Sequence, residues 1–116
     1  MKIHNTTKKL SEKSDHHTHK FGAVIAYKNT IISHGWNKLK THPKSTHPWK
    51  HIHAEMDAIF KAKGRTKNSV LYITRVSSTG RLNNSRPCPF CMSMIVAAGI
   101  KKVFYTDNNE WKEITI

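Results

Sequence analysis

Both cysteines of this chain fall within one short stretch, Arg86-Pro87-Cys88-Pro89-Phe90-Cys91. A proline precedes the first, and an apolar run that reads as a helix follows the second. Upstream, His53-Ala54-Glu55 opens another segment with helical patterning. Two helix N-termini that converge would bring together one imidazole and two thiols, and few folds can arrange that. Such a set offers zinc three protein ligands and leaves one position open, which is the catalytic arrangement rather than the closed structural one. Both thiols lie at a helix start, where the dipole and free N–H groups stabilise thiolates. Glu55, two residues from His53, supplies a carboxylate that can shuttle protons.

Each half of this pattern has a plainer reading. C-x-x-C alone could be a redox dithiol or half of a zinc ribbon. A redox motif usually follows a strand directly, whereas Cys88 comes after a long loop. A structural zinc site would want a fourth ligand and would leave Glu55 idle. A lone histidine at a helix start is usually a cap or a core residue. The joint pattern is the specific one: H-A-E opening one helix, then a strand, then P-C-x-x-C opening the next.

The remaining elements follow from periodicity and turn chemistry. Asn5, Thr6 or Thr7 could cap a first helix running to about Ser14, with a thin buried face. Phe21 to Tyr27 and Thr30 to Gly35 read as strands joined by a tight turn at Lys28-Asn29. Residues 36–52 form a long polar loop with Pro43, Pro48 and Trp49. A helix over His53 to Lys63 ends at Gly64, with Ala54, Ala58 and Ala62 on one stripe and an Asp57/Lys61 pair facing water. Ser69 to Thr74 is an apolar and therefore central strand. A second long loop covers 75–87. The next helix starts at Pro89 and stops at Gly99. Lys101 to Thr106 and Trp111 to Ile116 are the last strands, around a turn at 107–110. The strands flanking the helix at 89–99 should be parallel, with a right-handed crossover. The final connection is too short for a crossover, so the last strand pairs antiparallel.

The chain of 116 residues reads as one domain, 1–116, large enough to bury a core. The longest apolar stretch, around Phe90 to Ile100, is too short to span a bilayer, and Met1-Lys2-Ile3-His4-Asn5 has no signal core. A soluble, cytoplasmic protein (host cytoplasm for a viral chain) with no membrane partner is expected. Lys plus Arg number 20 against 7 acids, a formal charge of +13, and no acid occurs between Ala58 and Thr106. Such a field attracts phosphates, nucleotides or nucleic acid, although a solvated surface and compositional bias would give the same count. His16, His17 and His19 could bind metal or phosphate, or serve local loop chemistry.

These motifs resemble the zinc-dependent cytidine and deoxycytidylate deaminase superfamily. The similarity runs from Gly22-Ala23-Val24-Ile25 to Val103-Phe104-Tyr105. It includes Gly35-Trp36-Asn37, His53-Ala54-Glu55, Pro87-Cys88-Pro89-Phe90-Cys91 and Gly99-Ile100. The resemblance implies a three-layer α/β/α fold on a five-stranded mixed sheet with an antiparallel last strand. It implies one catalytic zinc ion on His53, Cys88 and Cys91, and hydrolytic attack at C4 of cytosine that yields uracil and ammonia. Glu55 would protonate ring N3 and carry a proton to the leaving group. Asn37 would hydrogen-bond the sugar, the Ala54 N–H the base carbonyl, and the Arg86 carbonyl the amino group. Family members associate, so a homo-oligomer is expected.

The substrate is set by the two basic loops. Trp36 and Trp49 could stack on a base. Lys38, Lys40, His42, Lys44, His47, Lys50 and His51 could clamp a phosphate, as could the Arg86 side chain; a solvated loop is the plainer reading. His51 could also join a second metal site. Trp111 is expected in core packing or an oligomer contact, and Lys61, Lys63, Arg65 and Lys67 in solvent. The His53 ligand and Gly-Trp-Asn resemble the deoxycytidylate and tRNA-adenosine branches, and the antiparallel finish resembles the free-cytidine branch. The expected substrate is a small cytosine nucleotide or nucleoside, with deoxycytidylate first. The alternatives are a deaminase of single-stranded nucleic acid and a non-catalytic, zinc-stabilised basic nucleic-acid-binding module.

Overall fold

Lys28 and Asn29 both take left-handed backbone angles, φ 49° and 65°, which makes the two-residue turn whose twist matches a hairpin. It joins β1 (Lys20–Tyr27) to β2 (Thr30–Trp36). Asn108 and Asn109, φ 48° and 63°, do the same between β5 (Lys102–Asp107) and β6 (Glu110–Thr115). The computed structural model describes residues 2–14, 20–37 and 53–116. The expectations for His16, His17, His19, for the 38–52 loop with Trp49, and for a second metal site at His51 lie outside the described residues.

The other elements are α1 (Lys2–Glu12), α2 (Ala54–Ala62), β3 (Val70–Val76), β4 (Leu82–Asn83) and α3 (Pro89–Ala97). The sheet order is β2-β1-β3-β5-β6, with β4 on the end of β3. Strand β3 is central. It pairs parallel with β5 across α3, while the other pairings, including the last strand, are antiparallel. The five expected strands are all present, and β4 is an additional two-residue strand.

Alternation along the strands divides the core into two layers. Ala23, Ile25, Leu71, Ile73 and Val103 face α2 and α3, meeting Ala54, Ala58, Ala62 and Ile95. Val24, Ala26 and Tyr72 face α1 and Leu10, with Ile3, Phe104 and Trp111 packed beside them. The mixed α/β architecture is thus the expected three-layer one. Trp111 is a packing residue: its ring meets His4 edge-on at 4.3 Å.

Two glycines let helices lie directly on the sheet. A Cβ at Gly35 would fall 2.7 Å from both the Ala54 carbonyl and the Ala58 amide, so α2 touches β2 backbone to backbone. A Cβ at Gly22 would fall 2.5 Å from the Ser11 amide, which sets α1 equally close to β1.

Four expectations need correction. Asn5, Thr6 and Thr7 do not cap α1, which begins at Lys2. Thr7 lies inside the helix, its Oγ1 donating to the Ile3 carbonyl at 2.7 Å, and with Ser11 and Thr74 it forms a buried hydroxyl seam. Asp57 does not face water. It pairs with Lys61 at 3.1 Å, but its side chain is 3% exposed and its Oδ2 also accepts from the Trp36 amide at 3.3 Å. The 75–87 segment is not one loop, because Arg75 and Val76 extend β3 and pair with Asn83 and Leu82. Finally, β2 continues through Trp36. Among the described residues, no helix is long and apolar enough to cross a membrane.

Candidate metal and active site

Strands β2 and β3 run parallel to one another, because each pairs antiparallel with β1. The helices that follow them therefore both start at the same end of the sheet. Asn37 closes β2 there. It is 5% exposed, its Oδ1 accepts from the Phe21 amide at 2.9 Å, and its own amide donates to the Phe21 carbonyl at 3.3 Å. Ser85 closes the neighbouring strands. Its Oγ donates to the Ile73 carbonyl at 2.9 Å and accepts from the Thr106 amide at 2.7 Å, while its amide donates to the Thr106 carbonyl at 2.8 Å. That buried clamp fixes where Pro87 and Cys88 emerge. In the sequence Ser85 is one polar residue in a polar stretch, so no local signal marks it.

Cys88 is the N-cap of α3, with extended backbone, and Pro89 follows at the first helical position. The third helical residue is Cys91, whose amide donates to the Cys88 Sγ at 3.4 Å. The N-cap and the third helical residue face each other in the capping-box manner, which is why the thiols need this spacing. His53 is the N-cap of α2, also extended, and makes no side-chain capping bond. Its Nδ1 lies 3.3 Å from the Cys91 Sγ instead. The ligand atoms of His53, Cys88 and Cys91 all lie within 4.8 Å of one another.

The donor set suits zinc. Bonds of about 2.0 Å to nitrogen and 2.3 Å to sulfur at tetrahedral angles separate ligand atoms by about 3.5–3.8 Å, so the three need only a small adjustment. Their electrostatics point the same way. Burial pushes the Cys91 thiol up, and the negative charges of Glu55 and Cys88 push it further. Burial likewise raises the Glu55 carboxyl, opposed by hydrogen bonds from its own amide and the Cys91 thiol. A cation is what relieves such crowding of potential anions.

The family model described as "Cytidine and deoxycytidylate deaminase zinc-binding region" matches residues 1–107. The chain belongs to this deaminase family. An uncharacterized deaminase in the luxG 3′ region of Aliivibrio fischeri is 30% identical over 97 residues, 77% of this chain. The chain spans 59% of that relative's length. The dCMP deaminase of cyanophage S-TIM5, solved in complex with dCMP and dUMP, is 30% identical with a TM-score of 0.63, covering 90% of this chain and 77% of that one. Cytidine deaminase from Burkholderia pseudomallei shares the fold, with a TM-score of 0.71 at 16% identity, over 98% of this chain and 90% of that one.

The other residues singled out in the sequence are placed as follows. Glu55 is 4% exposed in the first turn of α2, on the ligand group. Ala54 is fully buried between His53 and Glu55, where a helix-start N–H has no partner within the helix. Arg86 is exposed, with its guanidinium 5.8 Å from the centre of the Tyr105 ring. Trp36 packs with the α1 layer, stacked on His34 at 6.2 Å with the Lys61 ammonium 4.8 Å from its ring. That is the sheet face opposite the ligand group.

Proposed function

We propose that this protein is a zinc-dependent hydrolase that converts the cytosine base of a small nucleotide or nucleoside to uracil, with deoxycytidylate the first substrate. The observation that carries this reading is the group of His53, Cys88 and Cys91 with the buried Glu55 against it. The likeness to a deaminase solved with dCMP and dUMP supports the choice of substrate.

His53, Cys88 and Cys91 would hold zinc, which when bound lowers the pKa of a water toward about 7. Glu55 would move one proton from the attacking water to ring N3 and a second from the new C4 hydroxyl to the departing amino group, which leaves as ammonia. A carboxyl raised by burial holds a proton more readily than an exposed one, which suits a group that must both take and give protons. The Ala54 N–H donates to the base carbonyl and the Arg86 carbonyl accepts from the amino group. Asn37, anchored on Phe21, hydrogen-bonds the sugar. Trp36 is left out of this set because its ring packs on the α1 side.

The test offers zinc-loaded protein cytidine, deoxycytidine, deoxycytidylate and a cytosine-bearing oligonucleotide, and follows uracil formation. The expected result is turnover of the monomeric substrates, lost in Glu55→Ala with zinc retained. Turnover of the oligonucleotide alone would replace this reading with a nucleic-acid deaminase. A metal with four protein ligands and no turnover would replace it with a binding module.

We also propose a homo-oligomer acting in the cytoplasm. Helix α3 buries only Cys91 and Ile95 and leaves Val96 53% exposed on an otherwise apolar helix. Light scattering at the monomer mass would overturn that part.

A further inference from the structure

One charged side chain at the mouth of this site has no role in the chemistry above. Arg75 follows Leu71 and Ile73 on the face of β3 that carries α2 and α3. It lies at the strand's C-terminal end, where Asn37, Cys88 and His53 gather. In register it sits opposite Phe21 on one side and Asn83 on the other. Its guanidinium lies 5.7 Å from the centre of the Phe21 ring. The amide of that same Phe21 is held by the Asn37 side chain. Arg75 Nε is buried and has no hydrogen-bond partner among the described residues. A buried guanidinium nitrogen without an acceptor is costly to keep.

A second guanidinium covers a ring of the neighbouring strand on the other side of β3. Ile73 is paired with Tyr105 in the β3–β5 ladder, and the Arg86 guanidinium covers the Tyr105 ring. Arg75 is the next residue of β3 on that face, so two guanidinium groups cap adjacent strand ends. Among the described residues, neither is paired with a carboxylate. Asp107, which ends β5, is engaged by Lys112 at 3.6 Å. Arg81, on the same segment, is turned away and donates to the Asn108 Oδ1 at 2.7 Å.

We propose that Arg75, aided by Arg86, is a specificity-determining residue that binds the phosphate of a mononucleotide whose sugar is held at Asn37. This rests on the cytosine-nucleotide reading above and sharpens it to the phosphorylated substrate. The planar guanidinium fork matches phosphate oxygens in a bidentate way. The aromatic faces of Phe21 and Tyr105 hold the two forks in place. Arg75 is half-buried, with its Nε closed off from solvent, which fits one terminal phosphate better than a continuous backbone.

The experiment measures, by calorimetry on zinc-loaded protein, affinity for deoxyuridylate and for deoxyuridine, in the parent, Arg75→Gln, Arg75→Lys and Arg81→Gln. Removing a charged hydrogen-bonding partner lowers the nucleotide-to-nucleoside affinity ratio by roughly 10- to 100-fold in Arg75→Gln. Arg75→Lys regains part of it, and Arg81→Gln keeps the parent ratio. The ratio of kcat/KM for deoxycytidylate over deoxycytidine moves in parallel. An unchanged ratio in Arg75→Gln overturns the proposal, as does an equal loss for nucleotide and nucleoside. A loss confined to a cytosine oligonucleotide overturns it in favour of nucleic acid. If the parent binds neither uracil compound, the cytosine reading fails by itself. Inorganic phosphate then tests Arg75 alone: binding that Arg75→Gln abolishes upholds anion recognition, and no binding ends it.

Discussion

Gly35→Ala should separate the fold from the site in a way few substitutions can. The added Cβ would lie 2.7 Å from the Ala54 carbonyl and the Ala58 amide and 2.9 Å from the Asp57 Cβ. Two of these are backbone atoms of α2 and cannot rotate aside. Ordinary contact begins at 3.4 Å, so α2 must back away from β2 by a sizeable fraction of an ångström. Overpacking of this kind costs about 1–3 kcal/mol, which for a chain of this size lowers Tm by roughly 4–12 °C. The same movement carries His53 and Glu55 away from Cys88 and Cys91. Metal sites tolerate about 0.2 Å of error in ligand distance, so zinc affinity should fall about 10- to 100-fold. The assay is a thermal melt of the zinc-free protein together with a zinc competition titration against a chromophoric chelator. Gly22→Ala is the comparator, because its Cβ would strike Ser11 and Thr7 of α1 on the other face. It should lower Tm by a similar amount and leave zinc affinity close to the parent. The reasoning is refuted if Gly35→Ala melts within a degree of the parent, or if both variants lose zinc equally.

Chelating zinc should lower Tm sharply: zinc at 100 times its dissociation constant adds about 2.7 kcal/mol, and calorimetry of Cys91→Ala should show no such difference with and without chelator. Ser85→Ala strands the buried Ile73 carbonyl and Thr106 amide, so equilibrium urea unfolding should show a loss of about 1–3 kcal/mol; a midpoint equal to the parent's would mean the clamp carries nothing. His4 is set among Tyr72, Phe104 and Trp111, and burial holds its imidazole below the usual 6.5. Its neutral form is the one favoured in the folded state, and the unfolded chain takes up the proton first as pH falls. The stabilisation is therefore full above pH 6.5 and is lost as pH drops through the lower folded value. His4→Phe should flatten that part of the pH–stability curve, and an unchanged slope would place the titration elsewhere.

The placing of Cys88 and Cys91 together was legible because its geometry is local. A cap residue and the third residue of the same helix face each other whatever the tertiary context, so P-C-x-x-C announces two thiols on one side. The hairpins were equally plain, since Lys-Asn and Asn-Asn sit where only left-handed angles close the turn. What escaped was long-range. Asp57 looks like half of a surface pair until β2 brings the Trp36 amide onto it. Thr7 looks like a cap until Gly22 admits α1 so closely that the Thr7 carbonyl lies 2.6 Å from where a Cβ would stand. Arg75 reads as loop because Ser77-Ser78-Thr79-Gly80 is a turn signal, and nothing nearby says that the chain returns at once to pair with β3. Trp36 alternates onto the α1 side for a reason the strand period contains, although the Gly-Trp-Asn motif draws the eye to the pocket.

The central pairing of β1 with β3 also has a kinetic meaning. Ala26 meets Val70 and Lys20 meets Val76, so the chain must close a loop of several dozen residues before this ladder can form. Non-local closures of that kind are slow steps in folding. Cys88 and Cys91, by contrast, are brought together by a single turn of α3, whereas His53 reaches them only once the sheet has closed across 38 positions of sequence. The nascent chain would therefore hold a dithiol able to capture metal before its histidine arrives. Zinc supplied during refolding should then speed the late phase as well as stabilise the product, because a metal already on α3 gives α2 a fixed point on which to dock.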